Sequence, residues 1–169
     1  MHKLPGFPPQ GAATMTLRQN LTRDAVEALR VREAAELAPE ATVEEAINLL
    51  QERAVGCVVI TEKHKPVGVF TERDLLTKVL AGQRSVRTPL SEVMTRSPRA
   101  IHEDSTVADV IRTMHAGGFR HMPVVDAGGR LRGVVSVKRV VEYLVEHFPE
   151  AVLNLPPVPV QVQTAREGA

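Results

Sequence analysis

The sequence predicts an α/β (α+β) fold built from tandem β-α-β-β-α repeats packed with pseudo-twofold symmetry. Three observations carry that expectation. The first is an internal repeat, which decides architecture before any single element does. Thr42-Val43-Glu44-Glu45-Ala46-Ile47 matches Thr106-Val107-Ala108-Asp109-Val110-Ile111 at an offset of 64 residues, and Gly68-Val69-Phe70-Thr71 matches Gly133-Val134-Val135-Ser136 at 65. The added residue falls in the turn Ala127-Gly128-Gly129. The second is that the hydrophobic period of each copy changes from helical to extended and back. The third is composition: 169 residues with 43% hydrophobic and 24% charged side chains suffice for one compact body or two small ones. Two copies are too few for a solenoid, so a pair is expected.

The elements follow in order. Residues 1–14 are rich in proline and glycine, lack periodicity and read as a disordered tail. Residues 15–30 form a lead-in with a helix near 23–30. The first repeat spans 31–82. It opens with an extended piece at 35–37. A helix follows, started by Thr42 as N-cap with Glu45 completing a capping box. Val43, Ala46, Ile47 and Leu50 form its buried face. Strands at 57–61 and 67–70 flank the turn Lys63-His64-Lys65-Pro66. A helix at 72–80 closes the unit, with Leu75, Leu76, Val79 and Leu80 inward. Residues 83–98 are a linker. The second repeat, 99–148, runs the same way: an extended piece at 99–101, then a helix from Thr106 with Val107, Val110, Ile111 and Met114 inward. Strands at 122–125 and 131–135 follow, and a helix at 137–147 turns Val140, Val141, Leu144 and Val145 inward. Val59, Ile60, Val124 and Val125 are expected near the core. Residues 149–169 contain Pro156, Pro157 and Pro159, which exclude a helix and favour an extended strip.

Several function classes fall away. The net charge is +1, unlike a globally basic nucleic-acid binder, and aromatic residues at 3% offer no base-stacking platform. The single cysteine, Cys57, makes neither an internal disulfide nor a thiolate-rich zinc site. No apolar run approaches the roughly 20 residues of a membrane helix, and residues 1–9 lack the apolar stretch of a signal peptide, so a cytoplasmic protein is expected. The six histidines show no metal-ligand spacing. There is no phosphate loop and no nucleophile elbow. No metal, cofactor or enzymatic activity is expected.

Two strings, Gly68-Val69-Phe70-Thr71-Glu72-Arg73-Asp74-Leu75 and Phe119-Arg120-His121-Met122-Pro123-Val124-Val125-Asp126, stand within two copies in register. Together they resemble a cystathionine-β-synthase (CBS) domain pair, or Bateman module, over about residues 31–148. The resemblance implies sheets packed face to face and two symmetry-related clefts for adenosine nucleotides such as AMP, ADP or ATP. S-adenosylmethionine is the ligand in some members. It also implies dimerisation and a regulatory rather than catalytic role.

The residues bear on that implication individually. Gly68 lets a ligand approach closely. Thr71 stands at a helix N-terminus, which suits a phosphate, and the Asp74 carboxylate matches the two donors of a ribose diol. Both residues equally suit a plain helix cap. The second copy keeps a hydroxyl at Ser136 but has Arg139 where the family has Asp or Asn. A guanidinium has donors only and cannot accept from a diol. Lys138 and Arg139 either meet phosphates in a second, weaker cleft or form a solvated helix face. Arg120 is suited to bidentate phosphate binding, with His121 beside it as phosphate contact or structural donor. Gly56-Cys57 stands at the corresponding place in copy one, with neither charge. By resemblance, adenine would rest on Ala35, Leu37, Val58 and Ile60, which equally suit ordinary core.

The leading expectation is therefore a stand-alone nucleotide sensor acting on an unknown regulated protein. A ligand-free dimerisation scaffold and, less favoured, a nucleic-acid binder using arginines such as Arg84, Arg87, Arg96 and Arg99 are the alternatives. A homodimer is expected through Leu76, Val79, Leu80, Val141, Leu144 and Val145, more apolar surface than one sheet layer covers.

Overall fold

The computed structural model describes residues 17–149 and 152. The expectations for residues 1–14, and for nearly all of the C-terminal extension, fall outside the described residues.

Two sheets form, one per copy. In the first, β1 (Glu36–Leu37) runs parallel to β2 (Cys57–Glu62), which pairs antiparallel with β3 (Lys65–Thr71), and β3 with β4 (Thr95–Arg96). In the second, β5 (Ile101–His102) runs parallel to β6 (His121–Val125), which pairs antiparallel with β7 (Leu131–Ser136). Both hairpins shift register at equivalent places, after Ile60 and after Val124. Cys57 to Ile60 are buried without a break, which requires cover on both faces of β2. Val58 and Ile60 meet the helices, and Val59 points the opposite way. Leu131 N–H donates to the His64 carbonyl at 2.8 Å, tying the turn of one sheet to the edge of the other. Val59, Ile60 and Val124 are fully buried, as their positions predict, and Val125 is half-buried.

The helices start where the Thr-x-x-acid signatures place them. Thr42 with Glu45 caps α2 (Val43–Arg53), and Thr106 with Asp109 caps α5 (Val107–Gly117), each as a reciprocal box. Thr71 with Asp74 caps α3 (Glu72–Asp74), which continues as π-helical winding over Leu75–Leu80. There the Thr77 hydroxyl donates to the Arg73 carbonyl at 2.8 Å and competes for a helical acceptor. Within this stretch Val79 is buried, but Leu76 and Leu80 are 60% exposed, contrary to the inward face expected. On α6 (Val137–His147), Val140 is buried while Val141 and Val145 point outward, correcting the same expectation.

The segments ahead of each copy are exchanged. Leu90 and Val93 of α4 (Leu90–Val93) precede the second copy but lie in the core of the first, with Val43, Phe70 and Val79. Val26 and Leu29 precede the first copy but lie in the core of the second, with Val107, Met122 and Tyr143. The backbone repeats the exchange: Leu90 N–H donates to Ala41 at 2.8 Å, and Val26 N–H to Ser105 at 2.9 Å. The single lead-in helix expected near 23–30 is instead α1 (Leu17–Arg23) and a 3₁₀ turn, Val26–Leu29. The break falls at Ala25, whose extended backbone bridges Thr106.

Candidate functional site

The repeats bring two clefts together around one shared wall. Strand pairing sets Thr71 opposite Cys57 and Ser136 opposite His121, so each helix start lies beside the first residues of the neighbouring strand. Gly56-Cys57 and Arg120-His121, equivalent by the 64-residue offset, line both clefts. The wall is tight: a Cβ on Gly56 would stand 3.4 Å from both a Glu72 carboxylate oxygen and the His121 ring.

The smaller cleft, about 240 Å³, holds the motif of copy one: Thr71, Glu72, Arg73 and Asp74, with Val69, Thr95 and Phe119. Asp74 is the buried charged residue of the described chain, 8% exposed. One carboxylate oxygen accepts from Thr71 N at 2.9 Å and Thr71 Oγ1 at 2.7 Å. The other meets Lys78 Nζ at 2.7 Å and Thr95 Oγ1 at 3.3 Å. Burial alone would raise the Asp74 pKa; the hydrogen bonds from Lys78 and Thr71 outweigh it and hold the carboxyl below its ordinary value. The carboxylate is charged, fixed and already engaged.

His121 is shifted down chiefly by burial, opposed by the Glu72 carboxylate and reinforced by Arg120. At neutral pH it is a neutral donor or acceptor rather than a second cation. Cys57 is pushed up to about 12, first by burial and then by the nearby Asp74 charge, so the thiol stays protonated and is no nucleophile.

The larger cleft, about 310 Å³, holds the motif of copy two: Ser136, Val137, Lys138 and Arg139, against Ala34, Ala35, Val55 and Cys57. Here the capping logic changes. Ser136 makes no side-chain cap bond, and Arg139, three residues on, carries no acceptor with which to complete the reciprocal half of a capping box. Arg139 instead donates to Glu142 at 2.6 Å and is 19% exposed, so it is not a solvated face residue; Lys138 is, at 83%. Arg32 joins this cleft through a two-way backbone pairing with Val134, at 3.1 and 2.9 Å.

The structure thus brings Thr71, Asp74, Arg120 and His121 into one cleft and Ser136, Lys138 and Arg139 into the other. It does not bring the expected adenine positions to Asp74. Ala35 lines the other cleft, and Leu37, Val58 and Ile60 belong to the first core, where strand alternation turns them toward the helices. Gly68 lines neither cleft. A Cβ there would fall 2.3 Å from Met94 Sδ, so this glycine admits the exchanged segment rather than a ligand. Gly133 does the same for Arg32, whose carbonyl oxygen would lie 2.4 Å from a Cβ. Sequence reasoning missed Lys78, legible as an i,i+4 partner of Asp74, and Arg32 and Thr95, which no local pattern marks. Among the described residues no cluster of His, Cys, Asp or Glu is suited to hold a metal ion, and no helix is long and apolar enough to cross a membrane.

The chain is similar in sequence and fold to known proteins. An uncharacterized 17.7 kDa protein of Acidianus ambivalens is 33% identical over 109 residues, covering 64% of this chain; the chain spans 65% of that relative's length. The crystal structure of a CBS-domain containing protein from Agrobacterium tumefaciens is 34% identical with a TM-score of 0.63, covering 70% of this chain and 97% of that one. A CBS domain protein from Pyrobaculum aerophilum, complexed with AMP, is 27% identical with a TM-score of 0.66, covering 73% and 97%. The model of the CBS domain matches residues 26–81 and 90–146. Each matched span begins with the segment whose side chains the other unit buries, and with both copies matched the chain belongs to the CBS domain family as a tandem pair.

Proposed function

We propose that this chain is a regulatory module that binds an adenosine nucleotide in the cleft of Thr71 and Asp74 and transmits its occupancy to a protein partner. One observation carries the reading: a charged, immobilised carboxylate, Asp74, stands in a cleft with Arg120 and His121 contributed by the other copy. The carboxylate accepts from the ribose diol, Thr71 and Arg120 face the phosphate, and Val69, Cys57 and Phe119 supply apolar cover for the base. The AMP named for the Pyrobaculum protein is one precedent. Dimerisation through Leu76 and Leu80 on one helix and Val137, Val141 and Val145 on α6 belongs to the same proposal; Val79 and Leu144, expected on that face, pack instead into the first core and against the second.

A ligand-free dimerisation scaffold is the second reading. It is favoured by the saturation of Asp74, whose oxygens already accept from Thr71, Lys78 and Thr95. Thermal shift with AMP, ADP, ATP and S-adenosylmethionine separates the two. A bound ligand stabilises by about 2.7 kcal/mol at a hundredfold excess over Kd. AMP or another adenine nucleotide is expected to raise the melting temperature of wild type and not of Asp74→Asn. No shift with any of the four at millimolar concentration leaves the scaffold.

A further inference from the structure

We infer that the larger cleft takes an adenine nucleotide phosphorylated on its ribose ring, with Arg139 gripping that phosphate. The inference rests on the proposed nucleotide function and extends it to the cleft that function does not use. The repeat equates Asp74 with Arg139, and each of the pair lines its own cleft. A carboxylate at this position matches a free diol. A guanidinium there repels nothing on a ribose phosphate and binds it bidentately. Dinucleotide-binding folds discriminate by the same exchange: an acidic residue for the free 2′-hydroxyl, an arginine for the 2′-phosphate.

Charge supplies an independent observation. The larger cleft is lined by Arg32, Arg120, Lys138 and Arg139 with one lining carboxylate, Glu33, and a second carboxylate, Glu142, paired with Arg139 and Lys138, which leaves an excess of positive charge. The smaller has Arg73 and Arg120 against Glu72 and Asp74. An added dianionic group is therefore matched in one cleft and opposed in the other. Arg139 is also preorganised: Glu142 holds one nitrogen at 2.6 Å, leaving other guanidinium N–H groups as donors.

Titration calorimetry decides, with AMP, adenosine 2′,5′-bisphosphate and adenosine 3′,5′-bisphosphate as probes. On wild type, one bisphosphate is expected to bind about tenfold or more tighter than AMP. That preference persists in Asp74→Asn and disappears in Arg139→Gln, while Arg139→Asp reverses it toward AMP. Far-UV melting checks that the variants fold; should Arg139→Asp fail, the uncharged Arg139→Gln decides alone. Bisphosphates no tighter than AMP on wild type, or a preference that survives Arg139→Gln, overturn the inference. AMP binding that depends on Asp74 with no bisphosphate preference overturns it alone and leaves the proposed function standing. Absence of binding by all three probes overturns the inference, and overturns the proposed function as well when ADP, ATP and S-adenosylmethionine also give no thermal shift.

Discussion

Asp74 illustrates how one residue serves as both cap and charge. Its carboxylate closes the α3 box and pairs with Lys78 at 2.7 Å. Because its folded pKa is depressed, the unfolded chain takes up the proton first. The stability it contributes is present above the unfolded value, near 3.9, and lost as pH falls through the lower folded value. Asp74→Asn is expected to cost about 1–2 kcal/mol at pH 7 and to flatten the acid limb, read from melting curves between about pH 2 and 6. An unchanged acid limb would show that the carboxylate adds nothing in the folded state. His121 obeys the same sign by a different cause: burial disfavours its charged form, so folding opposes protonation below its ordinary value of 6.5. Its imidazole is expected to titrate below 6.5 in the ligand-free protein and to move upward when an anionic nucleotide lies against the wall. NMR titration of the ring protons reads both, and a ring that titrates above 6.5 without ligand contradicts the burial argument.

Among the elements, the short lead-ins reach furthest. The four residues of α4 are too few to be stable alone, yet Leu90 and Val93 fill the core of the copy they follow. Leu90→Ala is expected to destabilise by about 2–5 kcal/mol. Hydrogen exchange should show protection falling in α2, β2 and β3 of the first unit. Removing residues 17–31 should instead loosen α5, β6 and α6, because Val26 and Leu29 are packed there. Loss of protection confined to the unit that follows each segment in sequence would refute the exchange. Capping behaves differently, since three of the four motif helices use a Thr-x-x-acid box, and the fourth, Ser136-x-x-Arg139, forms none.

For the whole molecule, the exposed apolar stripes set the expected assembly. Leu76 and Leu80, with Val137, Val141 and Val145 at successive i+4 positions of α6, leave surface that neither sheet covers. Light scattering at micromolar concentration is expected to give twice the 18.5 kDa chain mass for wild type. Leu76→Asp combined with Val141→Asp should give a monomer with its melting transition intact, because both side chains are solvent-facing in the single chain. A monomeric wild type, or a variant that still pairs, refutes an assembly through these helices.

Period, capping signals and the 64-residue offset by themselves determined the repeat, its β-α-β-β-α order and most of its buried positions, while Thr71, Asp74, Arg120 and His121 were singled out by the resemblance of their motifs to the CBS pair. These properties are local: a helix face is a spacing, and a box is three residues apart. Only the tertiary structure decided that Leu76 and Leu80 face out, because α winding gives way to a π turn at Leu75. It also decided that Gly68 admits Met94, that Ala35 serves the opposite cleft, and that Leu90 and Val26 belong to each other's neighbours. Those outcomes depend on which copy lies against which segment. Local pattern carries no record of that choice, since exchanged and unexchanged lead-ins would bury the same residues.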